Sequence, residues 1–211
     1  MTMPKIVTRA EWQAARDELL ISEKKVTRAR DAVNAQRRRL PMVPVDRDYT
    51  FTGPDGEVGL AGLFAGRRQL YVHHFMWQYG PDRPCPSCSS AADVYWTPKH
   101  LALLAEHDVT FVATSNAPWN RIAEVKAERG WDIPWYSSHG TGFGEELGTT
   151  VDGADRPANS VFLRDGDQVF HTYTAFERGL DHLYPPYTYI DLTPYGRQEA
   201  WEDSPAGWPK R

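Results

Sequence analysis

The chain has 211 residues, of which 41% are apolar and 25% are charged, as expected for a globular protein that buries a sizeable core. Its apolar runs are far shorter than the roughly 20 residues of a membrane span, and its first residues lack the apolar stretch of a signal peptide. We therefore expect a cytoplasmic protein with no membrane contact, in a compartment where thiols stay reduced.

The charge is distributed unevenly along the chain. The net charge of −4 combines +5 over residues 1–40 with −9 over residues 41–211. A basic segment of this kind can bind nucleic acid, but here acidic residues are interleaved with the basic ones, as on a solvated helix face. We therefore expect no nucleic-acid partner.

Residues 8–39 have the pattern of a long amphipathic helix or a tight helical pair. Thr8 and Glu11 form a capping box at its start, and Pro41 ends it. The apolar positions recur at three- and four-residue steps, and they are Trp12, Ala15, Leu19, Val26, Ala29 and Val33. We interpret residues 1–45 as a helical extension whose apolar stripe docks on the chain's own core or on a second subunit in a homodimer.

Residues 46–180 contain a regular series of strand and helix patterns. In order they are a hairpin, a buried strand, a helix kinked by a proline, a second buried strand, a second helix and a closing hairpin. The corresponding ranges are 49–60, 69–77, 87–106 (with Pro98 at the kink), 109–116, 117–130 and 160–173.

A strand–helix–strand unit followed by a β-hairpin is the arrangement of thioredoxin. We therefore predict an α/β, thioredoxin-like domain over residues 46–180, with a central mixed sheet flanked by helices. Residues 181–211 are rich in proline and aromatic residues, and we expect them to form a wrapping tail.

The segment "RPCPSC" contains both cysteines of the chain, Cys85 and Cys88. In a reducing compartment, a pair at this spacing indicates redox catalysis, thiol sensing or metal binding. Pro86 suits the first position of a helix, so Cys85 would lie at the helix N-terminus, where backbone N–H groups and the nearby Arg83 favour a thiolate. We predict that Cys85 is the exposed nucleophile and Cys88 the more buried resolving thiol.

Two other interpretations of the pair remain open, and a third, metal binding, is not expected. The two cysteines could simply be inert core residues. Structural zinc needs four ligands, and His73 and His74 alternate across a strand, so we expect no metal site and no cofactor. Peroxiredoxins carry Pro-x-x-x-Thr/Ser-x-x-Cys at this strand-to-helix corner. Pro81, Cys85 and Cys88 match that spacing, with a cysteine in place of Thr or Ser, and Cys88 would then react with peroxide.

Several long blocks resemble a bacterial family, domain-of-unknown-function family 899. They are "EWQAARDELLISEKKVTRARDAVNAQRRRLP", "YTFTGPDG", "LYVHHFMW", "CPSCSSAAD", "VFHTYTAFERGLD" and "YIDLTPYGR". The resemblance covers nearly the whole chain and implies a thioredoxin-like domain with an N-terminal helical extension. Thioredoxins also place a cis-proline opposite the active-site disulfide. The corresponding position here falls near Ala158, next to Pro157.

Together these features predict a thiol–disulfide oxidoreductase or a thiol redox sensor. Its partner would be a protein thiol or disulfide, a small thiol or a peroxide. We expect an apolar surface around Trp77 and Trp119, with Pro157 nearby, to receive it. The alternatives are a peroxiredoxin-like peroxidase that uses Cys88, and a thioredoxin-fold module that binds a partner without catalysis.

Overall fold

The structure of the chain is a computed structural model that describes residues 3–77 and 83–211. It divides into two units, one formed by residues 1–40 with 181–211 and the other by residues 41–180. No helix within the described ranges is long and apolar enough to cross a membrane.

The first unit contains helix α1, Arg9–Arg37. The predicted capping box is confirmed, because Thr8 Oγ1 accepts from the Glu11 amide at 3.3 Å and the Glu11 carboxylate accepts from the Thr8 amide at 2.9 Å. The apolar stripe is exposed, with Val26 61% accessible. In the C-terminal part of this unit, the Arg197 guanidinium donates to Asp191 and Asp181.

The second unit contains the main sheet, whose strand order is β1-β10-β9-β4-β5-β6-β2-β3. Its strands are β1 Val43–Pro44, β2 Thr50–Gly53, β3 Gly56–Gly59, β4 Gln69–His74, β5 Val109–Ser115, β6 Trp135–Ser137, β9 Ala158–Asp165 and β10 Gln168–Phe176. Strands β7 Thr150–Val151 and β8 Ala154–Asp155 pair only with each other. The helices are α2 Pro86–Val94, α3 Pro98–Glu106, α4 Trp119–Arg129 and α5 Phe143–Glu146, and α6 Pro185–Asp191 lies in the first unit.

Strand β4 lies at the centre of this sheet. It runs parallel to β5 and antiparallel to β9, which forms the closing hairpin with β10. Leu70 and Val72 on one face of β4 are fully buried and His73 on the other face is 9% exposed, as expected for a strand covered on both faces. The prediction of a mixed sheet with the thioredoxin arrangement is confirmed.

The helical pattern of residues 87–106 forms two helices, so the prediction of a single kinked helix is wrong. The residue before a proline avoids the helical backbone conformation. Proline itself has no amide hydrogen, so it cannot make the hydrogen bond of a helix interior. Thr97 has extended backbone and caps α3, its hydroxyl accepting from the His100 amide at 3.3 Å. Pro98 therefore starts a new helix rather than bending the old one.

The two faces of the sheet carry separate cores, because successive side chains of β4 point to opposite sides. One face packs both cysteines with buried aromatic residues, namely Phe75, Trp96, Phe111 and Trp135. The other face is built around Phe51, Phe64, Phe143 and Phe162. In the core that contains the cysteines, the Phe75 and Trp135 rings stack with their centroids 4.2 Å apart.

Candidate functional site at the start of helix α2

The cysteines lie at the first turn of α2. Pro86 is the first helical residue, Cys85 is the N-cap and Cys88 falls within the first turn. Hydrogen bonds fix the Cys85 backbone on both sides: its amide donates to the Met76 carbonyl at 2.9 Å, and its carbonyl accepts from the amide and the hydroxyl of Ser89, each at 2.9 Å. Since Met76 follows β4, these bonds tie the helix start to the end of the central strand.

The surroundings of Cys85 favour its thiolate. The Cys88 thiol donates a hydrogen bond to its sulfur and is the main cause of a lowered pKa at Cys85. Burial opposes this lowering, while the backbone amides of Cys88 and Ser87 and the Ser87 hydroxyl add to it. Arg83 is exposed, and the lowering comes chiefly from the neighbouring thiol and the helix N-terminus rather than from the arginine suggested by the sequence.

The pKa of Cys88 is shifted in the opposite direction, upward. Its hydrogen bond to Cys85 raises its pKa, and burial and the charges of Cys85 and Asp155 raise it further. The Met76 amide, which donates to its sulfur, acts against this rise. The pair therefore combines one stabilised thiolate with one protonated thiol, which is the asymmetry that disulfide exchange needs.

Both cysteines are free and buried. Cys85 is 2% exposed and Cys88 is 5% exposed, so the prediction that Cys85 is the exposed member is wrong. The physical reason is that Cys85 packs into the aromatic core of its face of the sheet together with Cys88. A helix N-terminus places a thiol near backbone amides, but it does not by itself bring the thiol to the surface.

The residues expected to receive a partner lie in different surroundings. Trp77 and Trp119 are partly buried and pack against the core that contains both cysteines. Pro157 precedes β9, and its carbonyl accepts from the Glu177 amide at 2.9 Å. Its peptide bond is trans, as are the others in the described ranges. Pro81 lies outside the described residues.

Asp155 is a site residue that the sequence did not reveal. Its carboxylate accepts from the Trp77 amide at 2.9 Å and from the Thr150 hydroxyl at 3.0 Å, and its charge acts on Cys88. The Asp152–Gly153 turn that joins β7 to β8 has positive φ at both residues, the signature of a tight hairpin. That turn could have been recognised, but its proximity to the cysteines depends on the fold.

The two histidines of β4 lie in separate hydrogen-bonded surroundings. His73 Nδ1 is 2.6 Å from Asn159 Oδ1, and His74 Nε2 is 2.8 Å from Ser160 Oγ. Burial lowers the pKa of His73 to about 4 and that of His74 to about 3, so both are neutral at pH 7. The described residues contain no group of three or more His, Cys, Asp or Glu side chains that could hold a metal ion.

Comparison with known proteins identifies a family. The family described as "Bacterial protein of unknown function (DUF899)" matches residues 1–211. The comparison with curated proteins finds no match.

Similar solved structures include three bacterial proteins. A candidate protein disulfide isomerase from Bacteroides thetaiotaomicron has 17% identity and a TM-score of 0.46, over 68% of this chain and 88% of that one. Peroxidoxin BcpB from Mycobacterium tuberculosis has 19% identity and a TM-score of 0.47, over 65% of this chain and 85% of that one. AhpC from Enterococcus faecalis has 11% identity and a TM-score of 0.47, over 65% of this chain and 80% of that one. At such low identity, the function of none of them transfers to this chain.

Proposed function

The chain belongs to the bacterial family of unknown function DUF899, and we propose that it is a thiol–disulfide oxidoreductase whose reactive pair is Cys85 and Cys88. The observation that supports this function is the hydrogen bonding at the start of α2. One sulfur is stabilised as a thiolate by a neighbouring thiol and by backbone amides, and its partner is kept protonated. A buried pair of inert cysteines would need no such division of charge.

The proposed reaction is an exchange in two steps. The Cys85 thiolate attacks one sulfur of the partner's disulfide, forming a mixed disulfide and releasing the other sulfur as a thiolate. Cys88 then loses its proton to solvent and attacks Cys85 Sγ, which forms the internal disulfide and releases the second partner thiolate. Two electrons have moved to the partner, and an external dithiol returns the pair to its reduced form.

The proposed partner is a protein disulfide or a small disulfide in a reducing, cytoplasmic compartment. Trp77 and Trp119 would supply an apolar surface next to the cysteines, because both rings pack against the core that contains them. Large aromatic side chains provide much contact area with little loss of conformational freedom. The exposed stripe of α1 would be the contact in a homodimer.

A turnover assay with two oxidants tests this function. Dithiothreitol serves as the reductant, and either oxidised glutathione or hydrogen peroxide serves as the substrate. We expect catalysed reduction of the disulfide that disappears in Cys85→Ser, and no catalysed consumption of peroxide. Peroxide consumption that survives Cys85→Ser and is lost in Cys88→Ser would instead establish the peroxidase. Equal, uncatalysed rates in wild type and both variants would instead favour the alternative of a thioredoxin-fold module that binds a partner without catalysis.

A further inference from the structure

A chain of hydrogen bonds joins two histidines across one face of the main sheet. His171 Nε2 lies 2.7 Å from Thr174 Oγ1, which lies 2.9 Å from Ser160 Oγ. Ser160 Oγ in turn lies 2.8 Å from Nε2 of the buried His74. At the far end, His74 Nδ1 lies 3.2 Å from Thr149 Oγ1. The chain therefore connects β10, β9 and β4 to the residue before β7.

A β-bulge in β10 brings His171 and Thr174 to the same face of the sheet. Alternate residues of a strand share a face, so residues three positions apart normally point to opposite sides. The register of β10 against β9 shifts between His171 and Tyr173, which leaves an extra residue on β10. His171 is then opposite Phe162 and Thr174 opposite Ser160, two β9 residues that share a face. The bulge therefore aligns the chain.

The number of hydrogens in the chain limits its possible arrangements. Three contacts separate the two imidazole rings, and each contact needs one hydrogen. Within the described ranges, the hydroxyls of Ser160 and Thr174 have no other hydrogen-bond partners, so they supply two of the three. The third hydrogen must come from Nε2 of one histidine and not of both. Hydrogens on both rings would make two donors face each other, and hydrogens on neither would leave one contact empty.

Protonation of His171 selects one of these arrangements. A charged imidazole carries hydrogens on both nitrogens, so Nε2 of charged His171 must donate to Thr174. The two hydroxyls then both point toward His74, and its Nε2 accepts. His74 therefore carries its one hydrogen on Nδ1, directed at Thr149 Oγ1. The Thr149 hydroxyl can then donate to the Gly144 carbonyl at 3.3 Å.

The surroundings of the two rings make His171 the titrating end of the chain. Among the described residues, the titratable groups whose charges act on His74 are His73, on the same strand, and His171. Burial lowers the pKa of His171, and a backbone hydrogen bond opposes this. Its neighbours on β1 and β9, Val43 and Phe162, are uncharged. Because His74 is buried and His171 only partly buried, His171 takes up its proton first on acidification.

We propose that His171, Thr174, Ser160 and His74 form a pH-sensitive relay, in which protonation of His171 points both hydroxyls toward His74 and fixes the hydrogen of His74 on Nδ1. The relay carries the protonation state of a partly buried side chain on β10 to a buried side chain on β4. It does not depend on whether the cysteines react.

The test measures the midpoint of His171 protonation by nuclear magnetic resonance, with the His171 signal identified by its absence in His171→Gln. In His74→Leu, charged His171 would leave the Ser160 hydrogen without an acceptor, so protonation becomes less favourable. The midpoint should fall by about one pH unit, which corresponds to tenfold weaker proton binding. Loss of a positive charge at His74 would instead raise the midpoint, so a fall distinguishes the relay from a charge effect.

A second variant and two controls accompany this measurement. Ser160→Ala interrupts the relay in the middle and should also lower the His171 midpoint. His73→Leu removes the other buried histidine of β4, which lies outside the relay, and Thr172→Val removes a hydroxyl that donates to the Val161 carbonyl at 3.0 Å. We expect both controls to leave the midpoint unchanged, with circular dichroism as the check on folding.

The tautomer of His74 gives a separate result in the wild-type protein. Below the His171 midpoint, the nitrogen chemical shifts of the His74 ring should show a hydrogen on Nδ1 and none on Nε2. A hydrogen on His74 Nε2 while His171 is charged would overturn the relay. So would a His171 midpoint that does not fall in folded His74→Leu and Ser160→Ala.

Discussion

The Cys88→Ser variant is expected to accumulate a mixed disulfide with its partner, joined through Cys85. Serine keeps a hydrogen-bond donor beside Cys85 but cannot attack the mixed disulfide, so the first step proceeds and the second does not. Steady-state turnover should fall, because release of the mixed disulfide then depends on attack by dithiothreitol from solution rather than by the adjacent Cys88. The adduct is measured by intact mass after incubation with oxidised glutathione, without and then with dithiothreitol.

The matched control is Cys85→Ser, which lacks the attacking sulfur. It should form no adduct under the same conditions, since burial and the charge of Asp155 still raise the pKa of Cys88 and keep its thiol protonated. The reverse pattern, with adducts on Cys88 in Cys85→Ser and none on Cys85 in Cys88→Ser, would contradict the assigned roles. That result would identify Cys88 as the attacking sulfur.

Acidification from pH 7 to pH 4 is expected to destabilise the fold through His73 and His74. Burial lowers their folded pKa values to about 4 and about 3, whereas an unfolded histidine titrates at 6.5. Below pH 6.5 the unfolded chain binds protons that the folded chain does not, so the unfolding free energy falls as the pH decreases. The loss is roughly 3 kcal/mol for each histidine at pH 4. Above pH 6.5 neither residue contributes to this dependence.

Urea unfolding at pH 7 and pH 4 measures the change in unfolding free energy. Histidine variants separate the contribution of the buried histidines from that of carboxylates that titrate over the same range. His74→Gln removes one buried titrating group, so the difference in unfolding free energy between the two pH values should shrink by roughly 3 kcal/mol. His107→Gln, at an exposed position, should leave the wild-type difference unchanged. A difference that His74→Gln does not reduce would show that this histidine is not buried in its neutral form.

The features that sequence predicts correctly here are those decided by neighbouring residues. The start of α1 depends on Thr8 and Glu11, three positions apart, and the start of α2 depends on Pro86. Strand β4 is recognisable because its apolar and aromatic residues are contiguous. The thioredoxin arrangement follows from the order of such local patterns.

The features that sequence does not predict depend on contacts between distant segments. Trp77 and Asp155 are separated by 78 positions, so their hydrogen bond has no local signal. The burial of Cys85 results from aromatic residues on several strands and helices that close over it. Spacing can therefore indicate that Cys85 and Cys88 lie close together, but it does not give the exposure of either cysteine or the hydrogen bonds of Asp155.

The most direct test of the central claim is the pH dependence of Cys85 alkylation in the reduced wild-type protein. Iodoacetamide is used in the presence of a chelator, and each cysteine is quantified by peptide mass. The midpoint of the profile is compared with that of the urea-unfolded chain, because the midpoint reports the ionisation of the thiol, whereas restricted access of the reagent slows only the absolute rate. We expect the folded Cys85 midpoint to lie near pH 6, well below the value of about 8.5 for a free cysteine in the unfolded chain. Equal midpoints in the two states, or alkylation only after unfolding, would contradict a redox-active pair.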